Sequence, residues 1–548
     1  LGCDGGIYVS YDRCTTWDHL NTNAIGQFYH VAIDTRKPYR VYGGLQDNGT
    51  WGGPGLLRSR SGPVNEDWVS VQGGDGFRCQ VDPVDPDLVY ATSQNGAMSR
   101  RNFRTGEQAS IRPRFNPPAA GQPPVRNRFN WNTPFILSSH NSRIFYAAGS
   151  YVFRSLDRGN DLRPISPIIT KSELGSATAL SESPRNPDVI YAGTDDGNLW
   201  VTRNGGKDWA EISKNAKLAG ARWIATIEAS RYEDGRVYVA FDGHRSDDDN
   251  PLAYVSEDYG ATWKSLNATL PRGSTRCLRE DIKANNVLYL GTEFGCWVSV
   301  DRGATWTRMN TNLPTVAVFE FAQHASMNDL VIATHGRSLW ATDVGFLRQT
   351  TADSLKAPAT LYQPSTVYRW RPDPSRGGTN RSFVGQNPVS GAQIFYTLSK
   401  KAEKISLKIL DINGVTIREL RVSGEPGLHR VSWDLIKTSG SSGGNAAATG
   451  AMLGDMFAMF GGGGGGAGGG QGGPGGRGGR GRSLTAGPGE YRVVLSVDGK
   501  DLTQSFKIEA DPQFPESGAL AEGFEEGEDG EDEELEELIR EGSIQIQN

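Results

Sequence analysis

Cysteine is scarce in this chain: five in 548 residues, at Cys3, Cys14, Cys79, Cys277 and Cys296. Their spacing matches no zinc-binding pattern. Cys3 and Cys14 fall at opposite ends of one predicted strand, and at about 3.3 Å of rise per residue they are too far apart for a disulfide. Mostly free, buried thiols are expected. A run of eighteen apolar residues is lacking too, which excludes a spanning helix. No Met stands at position 1 and no leader is present. The text opens inside a repeat, at Leu1-Gly-Cys-Asp-Gly-Gly6, so the true N-terminus, with an export signal, is expected upstream. An excess of positive charge is also missing. The formal charge is −6, much of it near the C-terminus, so neither a nucleic acid nor an anionic membrane is indicated as a partner.

Glycine (70 residues) and tryptophan (13) are plentiful instead, and several tryptophans recur in one phrase. Ser10-Tyr-Asp12-Arg-Cys-Thr-Thr16-Trp17 returns as Ser256-Glu-Asp258-Tyr-Gly260-Ala-Thr262-Trp263 and as Ser299-Val-Asp301-Arg-Gly303-Ala-Thr305-Trp306. Weaker copies surround Asp157 and Asn204. This is the Asp-box, S-x-D-x-G-x-T-W. A Pro/Asn/Asp turn followed by a β-branched run precedes the copies, as in Pro184-Arg-Asn-Pro-Asp-Val-Ile-Tyr191 and Asn285-Asn-Val-Leu-Tyr289. Each unit reads as four short strands, A to D, at a period of roughly 40–50 residues, the signature of a propeller blade. Innermost strands are expected near Phe28, Phe77, Phe135, Ala177, Trp223, Thr275 and Val318. The fold class is therefore all-β: a seven-bladed β-propeller over 21–345. Residues 1–20 supply the last strands of a blade whose start is missing. Either they complete the last blade, which lacks a strand D, or they end a preceding, truncated propeller. The Asp-box residues Asp12, Asp157, Asn204, Asp258 and Asp301 are structural, capping the C–D turn.

Residues 346–378, rich in Pro and Ser, read as a linker. From 379 to 510 alternation resumes around Asn413-Gly414, a hairpin signal, and this reads as an immunoglobulin-like β-sandwich interrupted by a Gly-rich loop at 437–489. Residues 511–548 form an acidic tail expected to be disordered.

Successive strands alternate direction, so the D–A and B–C loops share one face of a propeller. That face gathers the candidate binding residues Gln46, Asn48, Gln94, Asn95, Trp131, Asn132, His244, Glu293, His335 and Arg337. Amides, carboxylates and aromatics around a channel mouth suit a glycan or a peptide. Asp47 and Asp75 sit there on adjacent blades; carboxylates about 6.5–9.5 Å apart would permit inverting glycoside hydrolysis, whereas the plainer role of both is to cap Gly-rich turns. Asp247, Asp248 and Asp249 offer oxygen ligands for calcium, or simply a solvated loop. No organic cofactor is expected.

These phrases, together with Gly44-Leu-Gln-Asp-Asn-Gly49, Gly73-Gly-Asp-Gly-Phe77, Phe129-Asn-Trp-Asn-Thr-Pro134 and Thr334-His-Gly-Arg337, resemble the large bacterial BNR-repeat proteins labelled sortilin-like or "glycosyl hydrolase". The resemblance extends to about residue 510, where the sandwich looks like a FlgD-type module. It implies an exported protein of unassigned activity. Asp75 is similar in setting to the acids of the xyloglucanase group, which uses one acid from each of two propellers. Three functions follow: an exported scaffold recognising a glycan or peptide at the channel mouth, a xyloglucanase-like glycoside hydrolase, and a cell-surface or secretion-associated structural component.

Overall fold

The computed structural model describes residues 1–3, 6–20, 24–59, 61–114, 127–374, 383–437 and 485–514. Most of the Gly-rich loop expected at 437–489 and nearly all of the acidic tail lie outside them. Among the described residues no helix is long and apolar enough to cross a membrane.

The chain folds as a β-propeller. Blades I to VII, at 28–72, 79–110, 135–164, 177–211, 223–265, 275–308 and 318–343, follow one another, each an antiparallel sheet of consecutive strands. The first six have four strands and the last has three. Their inner strands are Phe28–Ile33, Cys79–Val81, Phe135–Leu137, Ala177–Glu182, Trp223–Ala229, Thr275–Glu280 and Val318–Gln323. Residues Gly2–Cys3, Gly6–Val9 and Asp18–Leu20 make a separate three-stranded sheet, so the N-terminal piece does not complete blade VII. Cys3 and Cys14 are exposed there, outside the expected burial, while Cys79, Cys277 and Cys296 are buried; all five are free.

The repeated Tyr of the second strand explains the inter-blade packing. Tyr42, Tyr90, Tyr146, Tyr191, Tyr238 and Tyr289 are each under 2% exposed, sandwiched between sheets, and burial of each ring stabilises by about 1.5–3 kcal/mol. Polar staples add direction. Glu182 of blade IV accepts hydrogen bonds from Ser138 Oγ (3.0 Å) and the Ser139 amide (2.9 Å) of blade III. Glu280 of blade VI does the same for Ser230 Oγ (2.9 Å) and the Arg231 amide (3.0 Å) of blade V. The ring closes where blade VII meets blade I. The Gly336 and Ser338 amides donate to Gly26 O at 2.9 and 3.2 Å, and Phe28, Val31 and Val41 share a core with Ala322, Val331 and Ala333.

Each good Asp-box is a self-contained turn. In blade VI, Asp301 Oδ1 accepts from Ser299 Oγ (2.7 Å) and the Thr305 amide (2.8 Å), and Oδ2 accepts from Thr305 Oγ (2.6 Å). Gly303 adopts φ 81°. Trp306 is buried and donates from Nε1 to Leu266 O of blade V at 2.8 Å. Asp301→Ala removes three acceptor contacts in a turn far from the opposite rim. It should lower stability by about 1–2 kcal/mol while leaving any ligand affinity unchanged; a denaturant titration beside a binding isotherm checks both.

Beyond the propeller, sheets of three and five strands share one core around Tyr396, Trp433 and Leu495. The stretch expected as a linker contributes two of these strands, Ala359–Leu361 and Val367–Arg369. Three-residue strands flanked by Pro358, Pro364 and Ser365 are too short to show alternation, which is why composition hides them. The expected hairpin forms, with strands Ile405–Leu410 and Thr416–Leu420 and Gly414 at φ 81°. This second unit holds the propeller by its C–D and A–B loops: Arg58 pairs with the buried Asp511 at 3.0 Å, the Leu57 amide donates to Asn387 Oδ1, and Lys37 Nζ donates to the Tyr368 hydroxyl at 2.6 Å. Those loops belong to the rim opposite the B–C loops, so these contacts of the second unit all lie on that rim.

Candidate functional site

The open mouth is built by a repeated irregularity. In blades I, IV, V, VI and VII the register of the inner strand slips by one residue near its start. A bulge of this kind leaves one residue unpaired and re-aims its side chain. The residues so placed in blades I, VI and VII are Tyr29, Arg276 and Phe319, and all three turn up in one cluster. The Tyr29 ring lies 4.8 Å from Phe77, 5.6 Å from Trp131, 5.8 Å from Phe319 and 4.7 Å from His335, centroid to centroid. Phe319 stacks on His335 at 4.4 Å and also meets Arg276, 5.2 Å from the ring centre. Trp131 is the open member, 36% exposed.

Polar loop residues frame this platform. Asp75 Oδ2 accepts from Trp131 Nε1 at 3.1 Å and Oδ1 from the Asp47 amide at 3.0 Å, and the Asp75 amide donates to Gln94 Oε1 at 2.8 Å. Asp47 occupies the left-handed region at φ 59°, as does Asn95 at φ 58°, whose amide donates to Trp131 O. Tyr29 hydrogen-bonds Gln46. Burial, reinforced by Asp75, pushes the Tyr29 phenol up to about 12, so it remains a neutral donor. Burial likewise pushes the His335 imidazole below its ordinary value, keeping it neutral.

A second polar group flanks the first. Arg276 bonds Asp242 and Glu293, and His244 Nδ1 lies 2.8 Å from the same Asp242. Arg245, on the same loop as His244, sits over Trp223, 4.9 Å from its ring centre. Thus Gln46, Asp47, Asp75, Gln94, Asn95, Trp131 and His335 are brought together, and His244 and Glu293 converge on Arg276. Three expected residues stand apart. Asn48 turns its amide back on Gln46 O, Asn132 hydrogen-bonds through its backbone amide to Asn130, and Arg337 is exposed, bonding through its backbone to Thr334 Oγ1 and Trp340 Nε1. Of Asp247, Asp248 and Asp249, Asp248 is committed to Arg222 at 2.9 Å and to Asn250, and among the described residues no three His, Cys, Asp or Glu side chains gather to hold a metal.

Beneath the platform the channel carries charge. Glu320 receives Arg279 on both oxygens, at 2.8 and 2.6 Å, and His30 Nε2 lies 3.3 Å away. Arg279 also reaches Glu228 at 3.1 Å. Arg78, next in sequence to Phe77, completes the group. Sequence reasoning missed Tyr29, Arg78, Arg276, Arg279, Phe319 and Glu320, because they sit in innermost strands that read simply as core. The only available signal was charge inside them, in Thr275-Arg-Cys-Leu-Arg-Glu280.

No protein-family profile matches the chain, and no curated protein does. Among solved structures it is similar to the GH74 xyloglucanase from Xanthomonas campestris, at 15% identity over 60% of this chain and 53% of that one, with a TM-score of 0.43. It is similar also to the Niastella koreensis GH74 enzyme, at 13% identity over 59% and 53%, TM-score 0.42. A third likeness is to the β-propeller domain of Myceliophteria thermophila Cps50 (Swd1), at 12% identity over 58% and 97%, TM-score 0.40. The match spans about half the length of each GH74 enzyme.

Proposed function

We propose that the chain is a seven-bladed, exported binding protein that holds a glycan at the open channel mouth. The observation that carries this reading is the aromatic platform of Tyr29, Trp131, Phe319 and His335, backed by the buried Phe77 and edged by carboxylates and amides. Binding sites combine apolar and aromatic walls with a few convergent polar groups. Flat rings offer stacking surfaces for pyranose rings, and the flanking Asp75, Gln46 and Gln94 supply partners for hydroxyls. The described contacts of the second unit lie on the opposite rim. Export fits a polymeric ligand found outside cells.

The bonding of Asp75 favours positioning over proton transfer. Each of its oxygens already accepts a hydrogen bond, one from the Asp47 backbone and one from Trp131, so the carboxylate orients the platform's open ring. The xyloglucanase-like reading therefore ranks second. Isothermal titration against soluble neutral and acidic oligosaccharides tests the proposal. Wild type should bind at least one, Trp131→Ala should bind it about tenfold or more weakly, and no new reducing ends should appear on incubation. Absence of binding to every oligosaccharide, or an undiminished affinity in Trp131→Ala, would remove the reading; sugar release abolished in Asp75→Asn would replace it with hydrolysis.

A further inference from the structure

We propose that the channel beneath the platform is a carboxylate receptor centred on Arg78, so that the glycan held at the mouth is an acidic one carrying uronic acid residues. This rests on the glycan reading above and adds the chemistry of the ligand.

Arg78 directly follows Phe77, the fully buried ring that backs the platform, and its side chain reaches across to blade IV. It is a guanidinium with too few partners. Its described hydrogen bond is a long one, Nη2 to Thr178 O at 3.4 Å, and its Nε is buried without a partner. The carboxylates nearby are already taken. Glu320 is bound fork-to-fork by Arg279, and Glu228 is paired with the same Arg279. Two cations thus face two carboxylates, and both carboxylates are directed at one cation. A second nitrogen in the channel is unpartnered as well: His30 Nδ1 is buried and bare while Nε2 faces Glu320.

A guanidinium with a buried Nε that lacks an acceptor is costly, and a planar carboxylate is the acceptor that matches its fork. Desolvation pushes the Arg78 guanidinium down to about 10 despite the attraction of Glu320. A uronic acid places its carboxylate on the ring itself, within reach of a group just under the stacking surface. With Nε2 of His30 protonated toward Glu320, its Nδ1 lone pair can accept from a sugar hydroxyl beside that carboxylate. Arg245 stands over the mouth with no carboxylate partner among the described residues and steers an anion inward.

The test compares a trigalacturonate with its neutral trigalactose counterpart by titration on the full chain, with Arg78→Met and Arg78→Lys beside wild type, and follows thermal stability in free glucuronate. Wild type should prefer the acidic trimer by about tenfold or more, Arg78→Met should lose that preference, and Arg78→Lys should recover only part of it because an ammonium lacks the fork. Free glucuronate should raise the melting temperature of wild type and not of Arg78→Met, a readout that does not need a bound oligosaccharide. Equal affinity for the two trimers overturns the carboxylate receptor and leaves the glycan platform standing. Glucuronate stabilisation that depends on Arg78, without binding of any oligosaccharide, keeps the receptor and sinks the glycan. A simple peptide C-terminus that binds as well as the uronate, with the same dependence on Arg78, overturns the uronate assignment.

Discussion

Glu320→Gln should destabilise the protein by about 3–5 kcal/mol, because it leaves Arg279 and its charge in the channel with only Glu228 for a partner. The carboxylate is 5% exposed and bound by both arms of the guanidinium, with the Phe321 amide donating to Oε1 at 2.9 Å besides. Burial by itself would push this acid upward, yet Arg279 and His30 outweigh it and hold it far below the ordinary glutamate value of 4.5. A carboxylate depressed in the folded state contributes stability that is fully present above 4.5 and drains away as the pH falls toward the folded value. Wild type should therefore lose stability on acidification below about pH 4.5 with a steepness that the variant lacks. Removing all three charges, as Glu320→Gln and Glu228→Gln with Arg279→Met, should restore part of the loss, since the guanidinium and both carboxylates it pairs go together. Urea midpoints between pH 3 and pH 7 provide the comparison; a single mutant as stable as wild type at pH 7 would show the pair to be dispensable.

Glu280→Gln should act in the opposite direction. Glu280 is 1% exposed, and burial pushes its carboxyl up to about 7 even though the Arg231 amide and Ser230 hydroxyl bond it. Because the folded value stands above 4.5, the stability this group contributes is complete below pH 4.5 and disappears as the pH rises through 7. Glutamine is neutral at every pH, keeps an acceptor for the Arg231 amide, and offers a donor to Ser230. The variant should match wild type at pH 4 and exceed it above pH 8 by on the order of 3 kcal/mol, the free energy of a shift of that size. Parallel pH profiles for the two proteins would show that the staple between blades V and VI carries no strained charge.

Much of the architecture could be read before any coordinates, and the reason is periodicity. Asp258, Gly260, Thr262 and Trp263 each have a distinct local job in one turn, so the phrase survives recognisably from blade to blade, and the second-strand Tyr marks the sheet beside it. The site was half legible. Loop residues such as Gln46, Asp75 and Trp131 stand out because polar and aromatic side chains next to glycines have no packing excuse. Tyr29, Arg276 and Phe319 could not be found in this way. Their placement depends on a one-residue slip in strand register, which depends on the pairing partner as much as on the strand and leaves no trace in composition. Arg78 was hidden for a related reason: whether a charge inside a strand is paired is a property of the neighbouring blades. The short strands at 359–361 and 367–369 were missed because three residues cannot display alternation.

The joint between the last blade and the first has a topological consequence. Every blade is woven from consecutive residues, whereas at the joint His335 Nδ1 meets Phe28 O across 307 positions of chain. No strand is exchanged there; backbone contacts at Gly26, ring and polar contacts such as Tyr29–Phe319 and His30–Glu320, and a shared apolar core make the joint. Where the chain starts its circuit is thus arbitrary with respect to the circle. A variant of residues 24–345 with its ends tethered and a new opening cut between blades IV and V would relocate the seam without unpicking any sheet, and would turn a closure made last, at the greatest entropic distance, into an ordinary local turn.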